Sequence, residues 1–218
     1  MALDAVDMLD HLKWKSGVHL VGMSMGGSVA QLVVAYHPQY FASVCFTSTM
    51  AHAYLDFVSA AGAHALSTGQ RERSMRLTLL HPLGMASCAV QVESDDNQHG
   101  MGDCSKHMHH MARTQEQSKA RINSQTEATL VHYFADEHFR RIRASGIPVL
   151  VCTGDSDRLM VPANSEFIAA RLNAPLRVFK GCGHFISMQE PELYNSMLLD
   201  HFRKAASKAV SPMIYASL

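Results

Sequence analysis

Apolar residues fall into two kinds of run along this chain, one periodic and one continuous. In the first, Leu3, Val6, Leu9 and Leu12 form one stripe beside a polar stripe of Asp4, Asp7 and Asp10. That spacing predicts an amphipathic helix ending near Gly17. A continuous run then occupies 18–22, a helical pattern with Val29, Leu32, Val33 and Tyr36 on one face occupies 28–36, and a second continuous run occupies 41–48. The same alternation returns later, with strands predicted at 147–153 and 176–179 and helices at 163–172 and 191–206. Strands alternating with helices predict βα units feeding a parallel sheet with helices on both faces. Uninterrupted stretches such as VLVC predict strands buried on both sides.

Between the two βα segments, 1–49 and 146–218, residues 50–145 are mostly helical in composition and carry a polar stretch at 91–127. No internal repeat occurs. The polar stretch contains His99, Cys104, His107, His109 and His110. Their spacing is not that of a zinc site, and the segment reads as a solvated loop with no metal.

Charge and composition narrow the candidates further. Nineteen basic and nineteen acidic side chains balance, so no whole-chain field favours nucleic acid or an anionic membrane. Three aspartates within the first ten residues are unlike a secretory signal peptide, and no apolar run is long enough for a membrane span. The five cysteines are odd in number and form no CxxC; Cys45 and Cys152 sit in strongly apolar surroundings, as expected of a reducing, cytoplasmic setting.

Chemistry enters with Gly22-Met23-Ser24-Met25-Gly26, a GxSxG directly after a predicted strand and directly before a predicted helix. The bare string arises by chance in roughly 7% of chains this long, so its context carries the argument. A strand-to-helix turn this sharp strains the serine backbone and accounts for glycine at positions 22 and 26. It presents the Ser24 hydroxyl above the sheet and aims the first free N–H groups of the helix, including that of Met25, at a developing oxyanion. A serine hydroxyl also needs a base, and the base an orienting acid. The strand PVLVCTG leads into Asp155-Ser156-Asp157, and LRVFK into Gly181-Cys182-Gly183-His184. An acid and then a histidine, each just past the carboxyl end of a strand, would converge on the rim that carries Ser24.

In VGMSMGG, PVLVCTGDSDRLMVP and GCGHF the sequence resembles the α/β-hydrolase superfamily, specifically its lipase- and esterase-like members with a helical cap. The resemblance implies an α/β-hydrolase fold whose core comprises 1–49 and 146–218, with 50–145 as a cap or lid. It implies Ser24 as nucleophile, His184 as general base and then acid, and Asp157 as the orienting carboxylate. The family pattern sets the acid three residues after a glycine, here Gly154, and five before a proline, here Pro162; Asp155 competes for the role. Members of the superfamily carry further strands ahead of the nucleophile strand, so an N-terminally truncated sheet is expected, with the strand at 18–22 as an exposed edge open to self-association. The loop that supplies their second oxyanion donor has no counterpart before Ser24, which leaves only the Met25 N–H assignable. The expected activity is hydrolysis of a small carboxylic ester by a Ser-His-Asp acyl-enzyme mechanism, without cofactor or metal. The alternative is a non-catalytic scaffold of the same fold that binds a ligand or partner.

Overall fold

The continuous apolar runs become the strands of one parallel sheet. The computed structural model describes residues 1–52 and 132–209, and within them β1 (Val18–Met23), β2 (Phe41–Thr47), β3 (Val149–Gly154) and β4 (Leu176–Phe179) lie side by side in that order, every pair parallel. Helix α2 (Met25–Tyr36) connects β1 to β2, and α4 (Pro162–Leu172) connects β3 to β4. Helices α1 (Ala2–His11), α3 (Asp136–Ser145), α5 (Ile186–Gln189) and α6 (Pro191–Ala209), with a 3₁₀ turn at Pro38–Tyr40, complete the set among the described residues.

Side chains of β2 and β3 alternate between two apolar layers. Val44, Phe46 and Val151 enter a cluster with Val33 and Val34 of α2, Phe139 and Ile142 of α3, and Ile168 and Leu172 of α4. Cys45, Leu150 and Cys152 enter the opposite cluster with Ile186 and Tyr194, which α5 and α6 supply. Because helices cover both faces, these strands need apolar residues at every position, and that is why they read as continuous runs. Two polar groups caught inside pair with each other: the Thr47 hydroxyl and the Tyr194 phenol lie 2.9 Å apart in a buried hydrogen bond. Among the described residues β1 pairs on one side only, and Val21 on it is exposed.

Two expectations change at the N-terminus. The stripe of α1 that packs inward is Ala2, Ala5, Val6 and Leu9, whereas Leu3 and Leu12 are exposed. The helix packs chiefly on α2, and at its edge the Tyr40 hydroxyl donates to the exposed Asp10 carboxylate at 2.6 Å. It also stops at His11, where Lys13 takes a left-handed conformation (φ 60°), rather than running on to Gly17.

Most of the expected cap, with the polar stretch 91–127 and its histidines and Cys104, lies outside the described residues. Its two junctions with the core do not. His52 and Tyr133 form an antiparallel bridge, and the Phe134 N–H donates to the Ala51 carbonyl at 2.8 Å. From there the chain enters α3, whose Phe139 and Ile142 are fully committed to the main core. His138 closes the first turn of α3. Its Nδ1 accepts the Ala135 N–H at 3.0 Å, so its Nε2 carries the hydrogen and pairs with the Tyr36 hydroxyl at 2.8 Å. No described helix is long and apolar enough to cross a membrane.

At the carboxyl end of β3, Gly154 lies against the backbone of the segment that follows β4. A Cβ there would sit 2.1 Å from the Cys182 carbonyl oxygen. This contact lets the Ser156 N–H reach the Cys182 carbonyl at 2.9 Å and the Asp155 N–H reach the Phe179 carbonyl at 3.1 Å.

Two outcomes follow from this packing. Gly154→Ala must push backbone against backbone, and urea unfolding should show a loss of order 1–3 kcal/mol or more, the usual range for overpacking. The second concerns pH. Burial holds the His132 imidazole down at about 4, with His52 and His138 nearby adding to the effect, and burial also lowers His52 and His138. In the unfolded chain a histidine titrates near ~6.5, so the unfolded state takes up protons first as the pH falls. The stability these neutral rings contribute is therefore whole above ~6.5 and is lost as the pH drops toward 4. Thermal midpoints should fall between pH 7 and pH 5, and the fall should be shallower in His132→Phe, which keeps the stacking on Phe134.

Candidate active site

The strand register places four chain exits along one rim. Met23 is level with Thr47, Thr47 with Cys152, and Gly154 with Phe179. Ser24, the Ser48–Thr49 pair, Asp155 to Asp157, and the segment ending at His184 all leave the sheet at its carboxyl end.

Ser24 forms the turn between β1 and α2 at φ 52°, ψ −125°. An L-residue held in such a sparsely populated region carries about 1–3 kcal/mol of strain, which the surroundings must offset. They do so with four hydrogen bonds. The Ser24 N–H extends the sheet by donating to the Thr47 carbonyl at 3.0 Å. Its carbonyl accepts the Gly27 N–H (2.9 Å), the Ser28 N–H (3.3 Å) and the Thr49 hydroxyl (2.7 Å). Glycine at 22 is required by space, since a Cβ there would lie 2.6 Å from Ala30 Cβ and 2.8 Å from the Gly26 carbonyl oxygen. The expectation for position 26 is corrected: a Cβ on Gly26 would meet nothing within 4 Å, and Gly27, tight against Thr49, is the second glycine the turn needs.

The first amide of α2 belongs to Met25, and a helix offers its first N–H groups no acceptor of its own. The N-terminal end of the helix dipole adds partial positive charge at the same place. Met23 and Met25 are both half-buried and belong to neither apolar cluster.

The two aspartates after β3 divide into different environments. Asp157 is buried; its Oδ1 accepts the N–H groups of Leu159 (2.9 Å) and Met160 (2.8 Å), and its Oδ2 lies 2.9 Å from His184 Nδ1. Asp155 is exposed and turns away from the histidine, accepting the Gly181 N–H at 2.8 Å and the Ser156 hydroxyl at 3.0 Å. His184 is likewise buried, and with Nδ1 held by the carboxylate its Nε2 is the nitrogen left to exchange a proton. The structure thus brings Asp157 and His184 into contact. Ser24 shares their rim, but its hydroxyl makes no hydrogen bond to the imidazole, a contact that in such sites commonly closes only when substrate binds.

Two residues that hold this site are not evident from motif or periodicity. Thr49 grips the Ser24 carbonyl, and Gln189 on α5 accepts the Gly183 N–H at 2.8 Å through its side-chain oxygen, fixing the segment just before His184. Both act through contacts between segments distant in sequence or through one hydrogen bond, and neither leaves a spacing signal.

No curated protein matches the chain by sequence. Among solved structures, it is similar to MGS-M2, an alpha/beta hydrolase enzyme from a Medee basin deep-sea metagenome library, at TM-score 0.69 and 16% identity, covering 93% of this chain and 70% of that one. It is similar to Est816, described as an N-acyl homoserine lactone degrading enzyme, at TM-score 0.68 and 22% identity, covering 91% and 72%. A third likeness is to the 2-hydroxy-6-oxo-6-phenylhexa-2,4-dienoate hydrolase of Rhodococcus sp. strain RHA1, at TM-score 0.64 and 18% identity, covering 93% and 69%. At these identities the likeness is one of fold. The model of the alpha/beta hydrolase fold family matches residues 1–191, which takes in all four strands and every residue of the rim. The chain therefore belongs to the alpha/beta hydrolase fold family.

Proposed function

We propose that this chain is a serine hydrolase acting on a small carboxylic ester, with Ser24, His184, Asp157 and the Met25 N–H as its working parts. The observation that carries the reading is the buried Asp157–His184 pair, 2.9 Å apart, on the same rim as a serine held in a strained turn. Two buried polar side chains so placed cost desolvation that packing alone does not require. Est816 is described as degrading N-acyl homoserine lactones, compounds that contain a cyclic ester, and this supports ester chemistry.

In the proposed cycle the Ser24 oxygen attacks the acyl carbon while its proton passes to His184 Nε2. Asp157 holds the ring by Nδ1 and stabilises the imidazolium. The carbonyl oxygen becomes an oxyanion that accepts the Met25 N–H. The intermediate collapses as His184 returns the proton to the departing alcohol oxygen, leaving an acyl ester on Ser24. Water then gives a proton to His184 and attacks the acyl carbon; collapse returns that proton to Ser24 and releases the carboxylic acid. Every step uses groups of this chain, the Met25 backbone N–H among them, and one water.

Two further parts belong to the same proposal. That β1 pairs on one side only among the described residues, with Val21 exposed, supports self-association along that edge. Cys45 and Cys152, buried as free thiols with their sulfurs 3.5 Å apart, favour a reducing, cytoplasmic setting.

Labelling with a fluorophosphonate probe, followed by peptide mass spectrometry, should place the adduct on Ser24 and should require His184. Turnover of a chromogenic short-chain ester should fall by ~10⁴ or more in Ser24→Ala and His184→Ala, and by ~10⁴ in Asp157→Asn. A folded chain that stays unlabelled, with equal background rates in wild type and Ser24→Ala, would replace this reading with that of a non-catalytic scaffold.

A further inference from the structure

We infer that Thr49 is a positioning residue for the oxyanion donor, acting through the Ser24–Met25 peptide; this rests on the reading of the Met25 N–H as that donor. The peptide is a rigid trans plane, so its carbonyl and its N–H point in opposite directions. Whatever fixes the direction of the Ser24 oxygen therefore fixes the direction of the Met25 hydrogen.

Three donors reach that oxygen. Two of them, the N–H groups of Gly27 and Ser28, belong to α2 and move with it. The Thr49 hydroxyl, at 2.7 Å the shortest of the three, comes from the sheet side. Thr49 follows Ser48, whose N–H donates to the Cys152 carbonyl on β3 at 2.9 Å and whose backbone turns at φ 44°. The residue after it is tied to α2, because the Met50 carbonyl accepts the Gln31 amide at 3.1 Å and the Ser28 hydroxyl at 3.3 Å. Thr49 is thus fully buried between sheet and helix, with no freedom to swing away. Gly27 provides its place: a Cβ there would lie 2.5 Å from both Thr49 Cβ and Oγ1.

The hydroxyl does more than steer. A carbonyl that accepts a strong hydrogen bond polarises its whole peptide, and the N–H at the other end becomes a better donor. Thr49 therefore both aims the Met25 N–H and strengthens it toward negative charge. No proton is transferred to or from Thr49, and it does not touch the reacting atoms.

Thr49→Val keeps the shape and removes the hydroxyl; Thr49→Ser keeps the hydroxyl. In protein labelled with ¹⁵N-methionine, the Met25 amide proton, assigned through its loss in Met25→Leu, should move upfield in Thr49→Val and return in Thr49→Ser. On an ester substrate, kcat should fall about 10-fold in Thr49→Val with KM and the pH profile unchanged, against the ~10²–10³ lost with an entire oxyanion donor, and Thr49→Ser should recover it. A Met25 resonance that stays in place without the hydroxyl overturns the proposal, as does a Ser variant as impaired as the Val variant with a matching loss of thermal stability. Should the Val variant not fold, Thr49→Ala carries the same comparison without a branched methyl. Absence of Ser24-dependent turnover in the wild type would remove the esterase reading, while the Met25 resonance would still decide whether Thr49 holds that peptide.

Discussion

A single backbone constraint organises the rim of this molecule: Ser24 must remain in a conformation that an L-residue leaves as soon as nothing restrains it. The restraint is spread over three elements. β2 takes the Ser24 N–H through Thr47, α2 supplies two donors to its carbonyl, and the segment leaving β2 supplies the Thr49 hydroxyl. Glycines at 22 and 27 remove the side-chain atoms that would keep strand, turn and helix apart. Strain at one residue is thereby held by the packing of the whole parallel sheet. The turn cannot relax without separating β1 from β2 or lifting α2 off the main core.

The acid and histidine segments meet under a comparable constraint at Gly154, where backbone lies directly against backbone. Two aspartates separated by one serine then do different work. Asp155 bonds the Gly181 amide and stitches the two segments together in solvent, whereas Asp157 is buried on the imidazole. Their difference is one of environment more than of charge, because a carboxylate that accepts two backbone N–H groups has its orientation fixed before the histidine arrives.

Much of this was legible in the sequence, for an identifiable reason. Strands buried on both faces must be apolar throughout, so 41–48 and 147–153 announce themselves as β2 and β3; GxSxG stands out because only glycine fits so close an approach at position 22. What stayed hidden depends on contacts rather than on patterns. Periodicity shows that α1 is amphipathic, but its packing on α2 decides that Ala2, Ala5, Val6 and Leu9 turn inward and leaves Leu3 outside. Position 26 carries the motif's glycine, yet the crowding lies at Gly27, since Thr49 approaches α2 from a different strand. Thr49 and Gln189 each contribute one hydrogen bond to one backbone group, and a single bond has no period to detect.

The bridge between His52 and Tyr133, with the Phe134 N–H on the Ala51 carbonyl, pins together the two ends of the chain that leaves the core after β2 and re-enters it at α3. Topologically this closes the stretch of chain between them into a loop. The entropy of closing such a loop grows only logarithmically, by about 0.6 kcal/mol for each doubling of its length. A change in the length of chain between the two pinned points therefore alters the closure entropy of the pin very little.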